Sequence, residues 1–493
     1  MNMYNQQEYL DKIEKVIADG PYKADWNSLS KHKTPEWFLD RKFGIFIHWG
    51  IYSVPAFGNE WYSRNMYIQG SPEFEHHVKT YGKHTEFGYK DYIPMFKAEK
   101  FDAGAWIDLF KKAGAKYMVP VAEHHDGFQM YESELSKWNA AQMGPCRDVL
   151  GELKAEAEKA DIVLGASTHR IEHWFFMGHG REFESDITDD EKLGDFYWPA
   201  MPEAVLHDLY SEPTPTKEFL DDWMIRTCEL IDKYKIKQLY FDWWIQHSSA
   251  KEYLKKIAAY YYNRAEEWGE EVTIAYKHDA FMFGTALVDI ERGKFASIKP
   301  FPWQTDTAIG RWSWGYTQYN NFKPARELIC DLVDIVSKNG CMLLNVGPKP
   351  DGTITDEETA ILLDMGKWLE TNGEAIYEAK TWRVAEEGPT LTQEGQFTDG
   401  SETRFTSEDF RFTLKGENLY ATCLSYPENE KVVIKSLGIQ DATHLPKFNG
   451  IIDNVSVLGY DGEVKWHRDG EGLHVETSGI KTDMPVVIKV RLR

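Results

Sequence analysis

Short apolar runs alternating with longer amphipathic segments, from Phe43 to about Gly373, constrain this chain more than any other feature of its sequence. Strands separated by helix-length segments pair in parallel through crossovers, which implies a series of βα units and a mainly parallel sheet. The pattern predicts strands over residues 44–48, 117–122, 162–167, 238–242, 272–277, 287–291 and 342–346. Helices with apolar residues three and four apart are predicted over 102–113, 147–159, 217–233, 249–268 and 325–338. One more is marked by Thr355-Asp356-Glu357-Glu358 as a capping box, by Ile361, Met365, Trp368 and Leu369 on one face, and by Asn372-Gly373 as its stop. After Trp382 the texture changes to strand-like alternation, with Asp461-Gly462 and Asp469-Gly470 as hairpin signals. The expected fold is α/β: a (β/α) barrel of the TIM type over residues 1–375, then an antiparallel β-sandwich over 376–493.

The 493 residues exceed the roughly 250 to 300 at which a single core stops growing, which also argues for two domains. Acidic side chains outnumber basic ones by 79 to 56, and a net charge of −23 repels phosphate backbones and anionic lipid alike. Neither nucleic acid nor a membrane is therefore an expected partner. No apolar run approaches the ~18 residues that a membrane-spanning helix needs. Residues 1–24 mix charged with apolar side chains and show no secretory signal pattern. Cys146, Cys228, Cys330, Cys341 and Cys423 are widely spaced and suggest neither a disulfide framework nor a zinc site, so a reducing cytoplasm is the expected location. The 18 tryptophans are more than packing usually demands; most fill a large barrel, but flat rings also stack on sugar C–H faces and indole N–H groups donate to hydroxyls.

In a (β/α) barrel the active site lies at the C-terminal ends of the strands, so a polar residue that ends an apolar run is a candidate for chemistry. Phe-Gly-Ile-Phe-Ile leads into His48, Tyr-Met-Val-Pro-Val-Ala into Glu123-His124-His125-Asp126, Gln-Leu-Tyr-Phe into Asp242, Ile-Ala-Tyr into Lys277, and Leu-Val-Asp-Ile into Glu291. Two carboxylates on different strands, Asp242 and Glu291, suit glycosidic cleavage, where one stays ionised and the other holds a proton. Histidines and Glu60 suit the binding of hydroxyls. Each residue also has a plainer reading: an Asp at a strand end often caps the next helix, Lys277 and Arg292 suit the surface, and His48, His124, His125 and Asp126 form a metal-ligand set. Convergence of the strand ends favours the glycosidic reading.

At these residues the chain resembles the α-L-fucosidases of glycoside hydrolase family 29. The likeness runs from about Trp37 to Trp382. It is carried by Phe43-Gly44-Ile45-Phe46-Ile47-His48-Trp49-Gly50, Glu60-Trp61-Tyr62, His124-His125-Asp126-Gly127-Phe128, Gly144-Pro145-Cys146-Arg147-Asp148 and Leu343-Leu344-Asn345-Val346-Gly347-Pro348-Lys349-Pro350-Asp351-Gly352-Thr353-Ile354. The resemblance implies an irregular (β/α) barrel followed by a β-sandwich. It implies an exo-acting retaining hydrolase of terminal α-L-fucosyl residues, with no cofactor and a fucosylated oligosaccharide or glycoconjugate as partner; oligomeric state is left open.

Carried over residue by residue, the family's nucleophile falls on Asp242. Fucose hydroxyls fall to His48, Glu60, Trp61, His124 and His125, and Lys277 matches a position where some relatives place Arg. Tyr240 stands where many relatives have Trp, and so alters a sugar contact. His169, in Ser167-Thr168-His169-Arg170-Ile171-Glu172, replaces a sugar-binding tyrosine, and Trp314 shelters the C5 methyl. The segment from Asp289 to Asp306 resembles one large bacterial group, which places the acid/base on Glu291, with Glu172 and Asp306 as fallbacks. Two rival readings are a metal-dependent hydrolase built on the histidine–Asp126 set and a non-catalytic fucose-binding protein.

Overall fold

The structure is a computed structural model, which describes residues 6–203, 213–400, 402–439 and 448–493. Eight parallel strands form a closed barrel in sequence order: β1 Phe43–Ile47, β2 Tyr117–Glu123, β3 Val163–Thr168, β4 Gln238–Phe241, β5 Thr273–Tyr276, β6 Leu287–Glu291, β7 Trp303–Ala308 and β8 Gly340–Val346. β8 pairs back onto β1 and completes the closure. Seven of these strands lie within a residue or two of their predicted bounds. β7 went unpredicted because Gln304, Thr305, Asp306 and Thr307 leave it no apolar run to recognise.

The predicted helices are present as Ala103–Lys112, Val149–Ala160, Lys217–Tyr234, Lys251–Trp268, Ala325–Ser337 and Asp356–Asn372. Thr355 caps the last of them by accepting from the Glu358 N–H at 3.1 Å. An additional helix, Gln6–Asp19, buries Tyr9, Ile13 and Ile17 at four-residue spacing and packs against Lys217–Tyr234 and Lys251–Trp268. No helix follows β5 or β6, which makes the barrel irregular on that side.

The barrel interior is packed rather than hollow. Phe46, Tyr117, Val119, Val121, Tyr240 and Leu343 fill it, and Phe38, on the short helix Glu36–Arg41, packs into the same cluster. Gly44 on β1 is required here: a Cβ at that position would stand 2.5 Å from the Tyr117 ring. A polar layer accompanies the apolar one, because Gln238 Nε2 donates to Gln304 Oε1 at 2.9 Å and Gln304 Nε2 to Asp289 Oδ2 at 2.7 Å.

Beyond the barrel the chain forms two antiparallel sheets. Five strands, β9 Lys380–Glu387, β10 Phe410–Lys415, β11 Asn418–Cys423, β13 Ile452–Val457 and β16 Val486–Leu492, run in the order β13-β16-β11-β10-β9. Three more, β12 Lys431–Ile434, β14 Lys465–Arg468 and β15 Leu473–Glu476, run in the order β12-β15-β14. Phe410, Phe412, Leu419 and Ile488 of the first share an apolar cluster with Val432, Ile434, Leu473 and Val475 of the second. Asp469-Gly470 does turn a hairpin, between β14 and β15. Asp461-Gly462 does not, because β13 and β14 lie in different sheets. Among the described residues, no helix is long and apolar enough to cross a membrane.

A buried ion cluster welds the two parts together. Asp334, on the helix Ala325–Ser337, accepts from Arg411 of β10 and from Lys338 at 2.8 Å, and Lys338 also reaches Glu386 of β9 at 2.9 Å. Burial works against the Asp334 charge, but Arg411 and Lys338 overcome it and hold its carboxyl well below the usual range. Removing one partner leaves a buried charge uncompensated. Arg411→Met is therefore expected to lower the unfolding free energy by about 3 to 5 kcal/mol, read by urea denaturation. A loss under about 1 kcal/mol would mean that the cluster does not hold the two parts together.

Candidate active site

Each barrel strand delivers at least one polar side chain to the same mouth. His48 follows β1, His124 and His125 follow β2, His169 follows β3, Asp242 follows β4, Lys277 follows β5, Glu291 ends β6, Asp306 lies on β7 and Asn345 on β8. All but Asn345 line a single cavity of about 380 Å³, together with Glu60, Trp61, Trp243, Trp244, Trp314 and Phe397, among others. This volume falls within the ~300 to 1,000 Å³ of small-molecule sites.

At its centre one buried ammonium meets three carboxylates. Lys277 Nζ lies 3.1 Å from Asp242 Oδ1, 2.6 Å from Glu291 Oε2 and 3.2 Å from Asp306 Oδ2. Burial disfavours the lysine charge, but the three acids outweigh it and keep Lys277 protonated. Because Asp242 and Glu291 bond the same nitrogen at 3.1 and 2.6 Å, their nearest oxygens cannot stand farther apart than those two bonds laid end to end. Two carboxyl groups that share one ammonium are close neighbours, as the paired acids of a retaining glycosidase are.

The two acids are held in opposite states. Burial would raise Asp242, but Lys277 and His169 dominate and hold it well below the ordinary carboxylate range. Burial lifts Glu291 to about 7, against the pull of Lys277 and with the help of the Asp306 and Asp242 charges. Glu291 Oε2 accepts from both Lys277 and the Trp243 indole, which leaves Oε1 to carry the proton.

The histidine tautomers follow from their partners. A carboxylate only accepts, so His169 Nδ1 donates to Asp242 Oδ2 at 3.0 Å, while Nε2 is hydrogen-bonded to the Ser167 hydroxyl at 3.0 Å. Asn345 gives its amide N–H to the Trp314 carbonyl, so its oxygen takes the His48 Nδ1 proton at 2.7 Å and leaves His48 Nε2 as an acceptor. His125 Nδ1 donates to the His169 carbonyl at 3.2 Å. Burial, with neighbouring imidazoles adding to it, lowers His48 and His124 well below 6.5 and His125 to about 3. Neutral rings of this kind are matched to hydroxyl groups, offering a donor and an acceptor without a charge to neutralise.

Glu60 accepts from the Ser313 hydroxyl at 3.1 Å and the Trp314 N–H at 2.9 Å, both on Oε2, so Oε1 takes part in neither bond. Trp314 is fixed between the Arg292 guanidinium, 4.5 Å above its ring, and His48, with ring centroids 5.2 Å apart. The backbone around the mouth is strained: Trp244, His278, Asp279 and Arg292, just past the ends of β4, β5 and β6, have φ of 71°, 51°, 49° and 46°.

The family model for α-L-fucosidase matches residues 10–374, and that for the α-L-fucosidase C-terminal domain matches 403–489. This chain belongs to the α-L-fucosidase family. It is 31% identical to the tissue α-L-fucosidase of Homo sapiens over 94% of this chain and 89% of that protein. To the enzyme of Mus musculus it is 32% identical, over 92% and 90%. The crystal structure of Thermotoga maritima α-fucosidase in complex with fucose covers 95% of this chain and is itself wholly covered, at 31% identity and a TM-score of 0.75. As a member of this family the chain is a glycoside hydrolase.

Several details of the sequence reading are corrected in this fucosidase-family site. Asp126 does not join the histidines: its carboxylate accepts from the Tyr89 hydroxyl at 2.7 Å and the Phe128 N–H at 3.0 Å. Two sets of atoms in the site do converge within 4.8 Å: the ring nitrogens of His48, His124 and His169, and those of His125 and His169 with the Asp242 carboxylate. Tyr240 lines the cavity, but its hydroxyl donates to Asp306 at 2.8 Å, so only the ring faces a ligand. Glu172 lies outside the cavity lining, wholly buried behind His125 with 3.4 Å between Oε2 and Nδ1. Asp306 accepts from both Tyr240 and Lys277 on Oδ2. Trp243 and Phe397 were not singled out from sequence. The Trp-Trp pair after Asp242 was a signal for the first; the second lies far along the chain and offered none.

Lys277→Met is expected to move both limbs of the pH–rate profile for an aryl α-L-fucoside upward. Without the ammonium, Asp242 protonates at a higher pH and Glu291 holds its proton longer, so the acid limb rises by at least about one unit. An unmoved acid limb would show that Lys277 does not set the state of Asp242.

Proposed function

We propose that the protein is an exo-acting, retaining α-L-fucosidase that releases terminal α-L-fucosyl residues from oligosaccharides or glycoconjugates. The observation that carries this reading is the pair of carboxyl groups on one lysine, one held ionised and one holding a proton. Asp242 attacks the anomeric carbon while Glu291 protonates the leaving oxygen through Oε1. A fucosyl ester forms on Asp242, and Glu291, now a base, draws a proton from water that releases fucose with its configuration kept. Lys277 and His169 keep Asp242 ionised and oriented for attack. His48, His124, His125 and Glu60 bind hydroxyls, and Trp61 and Trp314 bound the pocket for a sugar whose C6 is an apolar methyl. A pocket at the end of a barrel fits an exo mode better than a groove would.

The pH dependence follows from the two acids. Activity requires Glu291 protonated, so kcat/KM is expected to fall as pH rises through about 7, while the ionisation of Asp242 imposes no limit near neutrality. A profile rising with pH through 7 would reverse the roles.

Substitution separates the two steps. Asp242→Gly is expected to lower turnover of an aryl α-L-fucoside by about 10³-fold or more. Glu291→Ala is expected to lose far less on substrates with good leaving groups than on oligosaccharides, with azide restoring activity and yielding an α-configured fucosyl azide. Equal losses on both substrate types, or no azide rescue, would remove Glu291 from the acid/base role.

A further inference from the structure

The side of the barrel that lacks helices after β5 and β6 is partly covered by a segment that comes from beyond β9. Residues 394–399 lie between β9 and β10 in sequence and return to the barrel mouth. Gly395 forms a bridge with Lys294, the Phe397 N–H donates to the Glu291 carbonyl at 3.0 Å, and the Thr398 N–H donates to the Arg292 carbonyl at 2.8 Å. Asp399 then anchors the segment. It accepts from the Thr307 hydroxyl at 2.7 Å and pairs with Lys323, which is fully buried, and with Arg292.

Between these anchors Phe397 is held at φ 54°, a left-handed conformation that a bulky residue adopts only when its surroundings impose it. The result is unusual for a phenylalanine: the ring is 57% exposed, lines the cavity and lies parallel to Trp243, with centroids 5.9 Å apart and planes 13° from parallel. Trp243 in turn donates its indole N–H to Glu291. Two aromatic faces thus form a shelf beside the carboxyl group that meets the leaving oxygen. Exposed, fixed aromatic rings at such a position are matched to the apolar C–H face of a pyranose.

We propose that Phe397, with Trp243, forms the subsite that binds the first sugar ring of the leaving group, so that the segment joining β9 to β10 sets which fucosides are cleaved. The proposal rests on Glu291 protonating the leaving oxygen. Phe397 does not touch the fucosyl unit; its contact is with the ring that departs.

The test compares two substrates of the intact protein. For Phe397→Ala, kcat/KM on a disaccharide with fucose α-linked to a hexose is expected to fall about tenfold. On α-L-fucosyl fluoride, whose leaving group has no ring, it is expected to stay within about twofold, as is competitive inhibition by free fucose. Phe397→Trp, which keeps an aromatic face, is expected to retain most of the activity on the disaccharide. An unchanged rate on the disaccharide, or equal losses on both substrates, would overturn the proposal, the second outcome marking the segment as purely structural. Failure of the underlying assignment reads differently: Glu291→Ala would then depress fluoride and disaccharide alike while Phe397→Ala still told the two apart.

Discussion

A single buried ammonium governs the electrostatics of this site. Asp242, Glu291 and Asp306 approach from three different strands, and burial alone would push Asp242 and Glu291 toward their neutral forms. Lys277, at the end of β5, touches all three. Its one positive charge cannot neutralise three negative ones, and the shortfall falls unequally. Asp242 also accepts from His169 and stays ionised; Glu291 has beside Lys277 only the Trp243 indole and keeps a proton near neutral pH. In the proposed mechanism the difference between nucleophile and acid therefore comes from their partners, since the two side chains carry the same chemical group.

That arrangement depends on closure of the barrel. Strands in sequence order, with β8 returning to β1, place the ends of all eight around one mouth, and a packed interior fixes their heights. The polar interior contributes directly. Tyr240 holds Asp306 from below, and the Gln304–Asp289 bond continues the network toward the bottom of the barrel. The sandwich is coupled to the same frame: its β9 and β10 reach the buried Asp334 and Lys338, and the segment between them lies against the last residues of β6. A change in the C-terminal part is thus able to reach the Glu291 side of the cavity without crossing the barrel core.

Much of this was legible in the sequence because it is written locally. A polar residue that ends an apolar run marks a strand end, and His48, His124, His125, Asp242, Lys277 and Glu291 all met at the cavity by that rule. What escaped has physical reasons. β7 turns Gln304 and Asp306 into a polar interior, so its pattern lacks the apolar stretch by which buried strands are recognised. Asp126 sits beside two histidines in sequence, yet β2 ends just before them and the chain turns, so its carboxylate meets Tyr89 instead. His169 was expected to contact the sugar, and its nearest acceptor is Asp242, a partner more than seventy residues away. Phe397 is invisible to local reasoning, because an exposed aromatic residue in a connecting segment acquires meaning only from the strand end it lies against.

The claim at the centre of this account is that Asp242 carries the fucosyl group as a covalent ester. Incubation with a 2-deoxy-2-fluoro-α-L-fucosyl fluoride slows release of that ester and allows the labelled residue to be found by peptide mass spectrometry. The account predicts one fluorofucosyl group per chain, attached to the peptide containing Asp242. A label on any other carboxylate, or a β-configured fucose as the first product of an ordinary substrate, would contradict it.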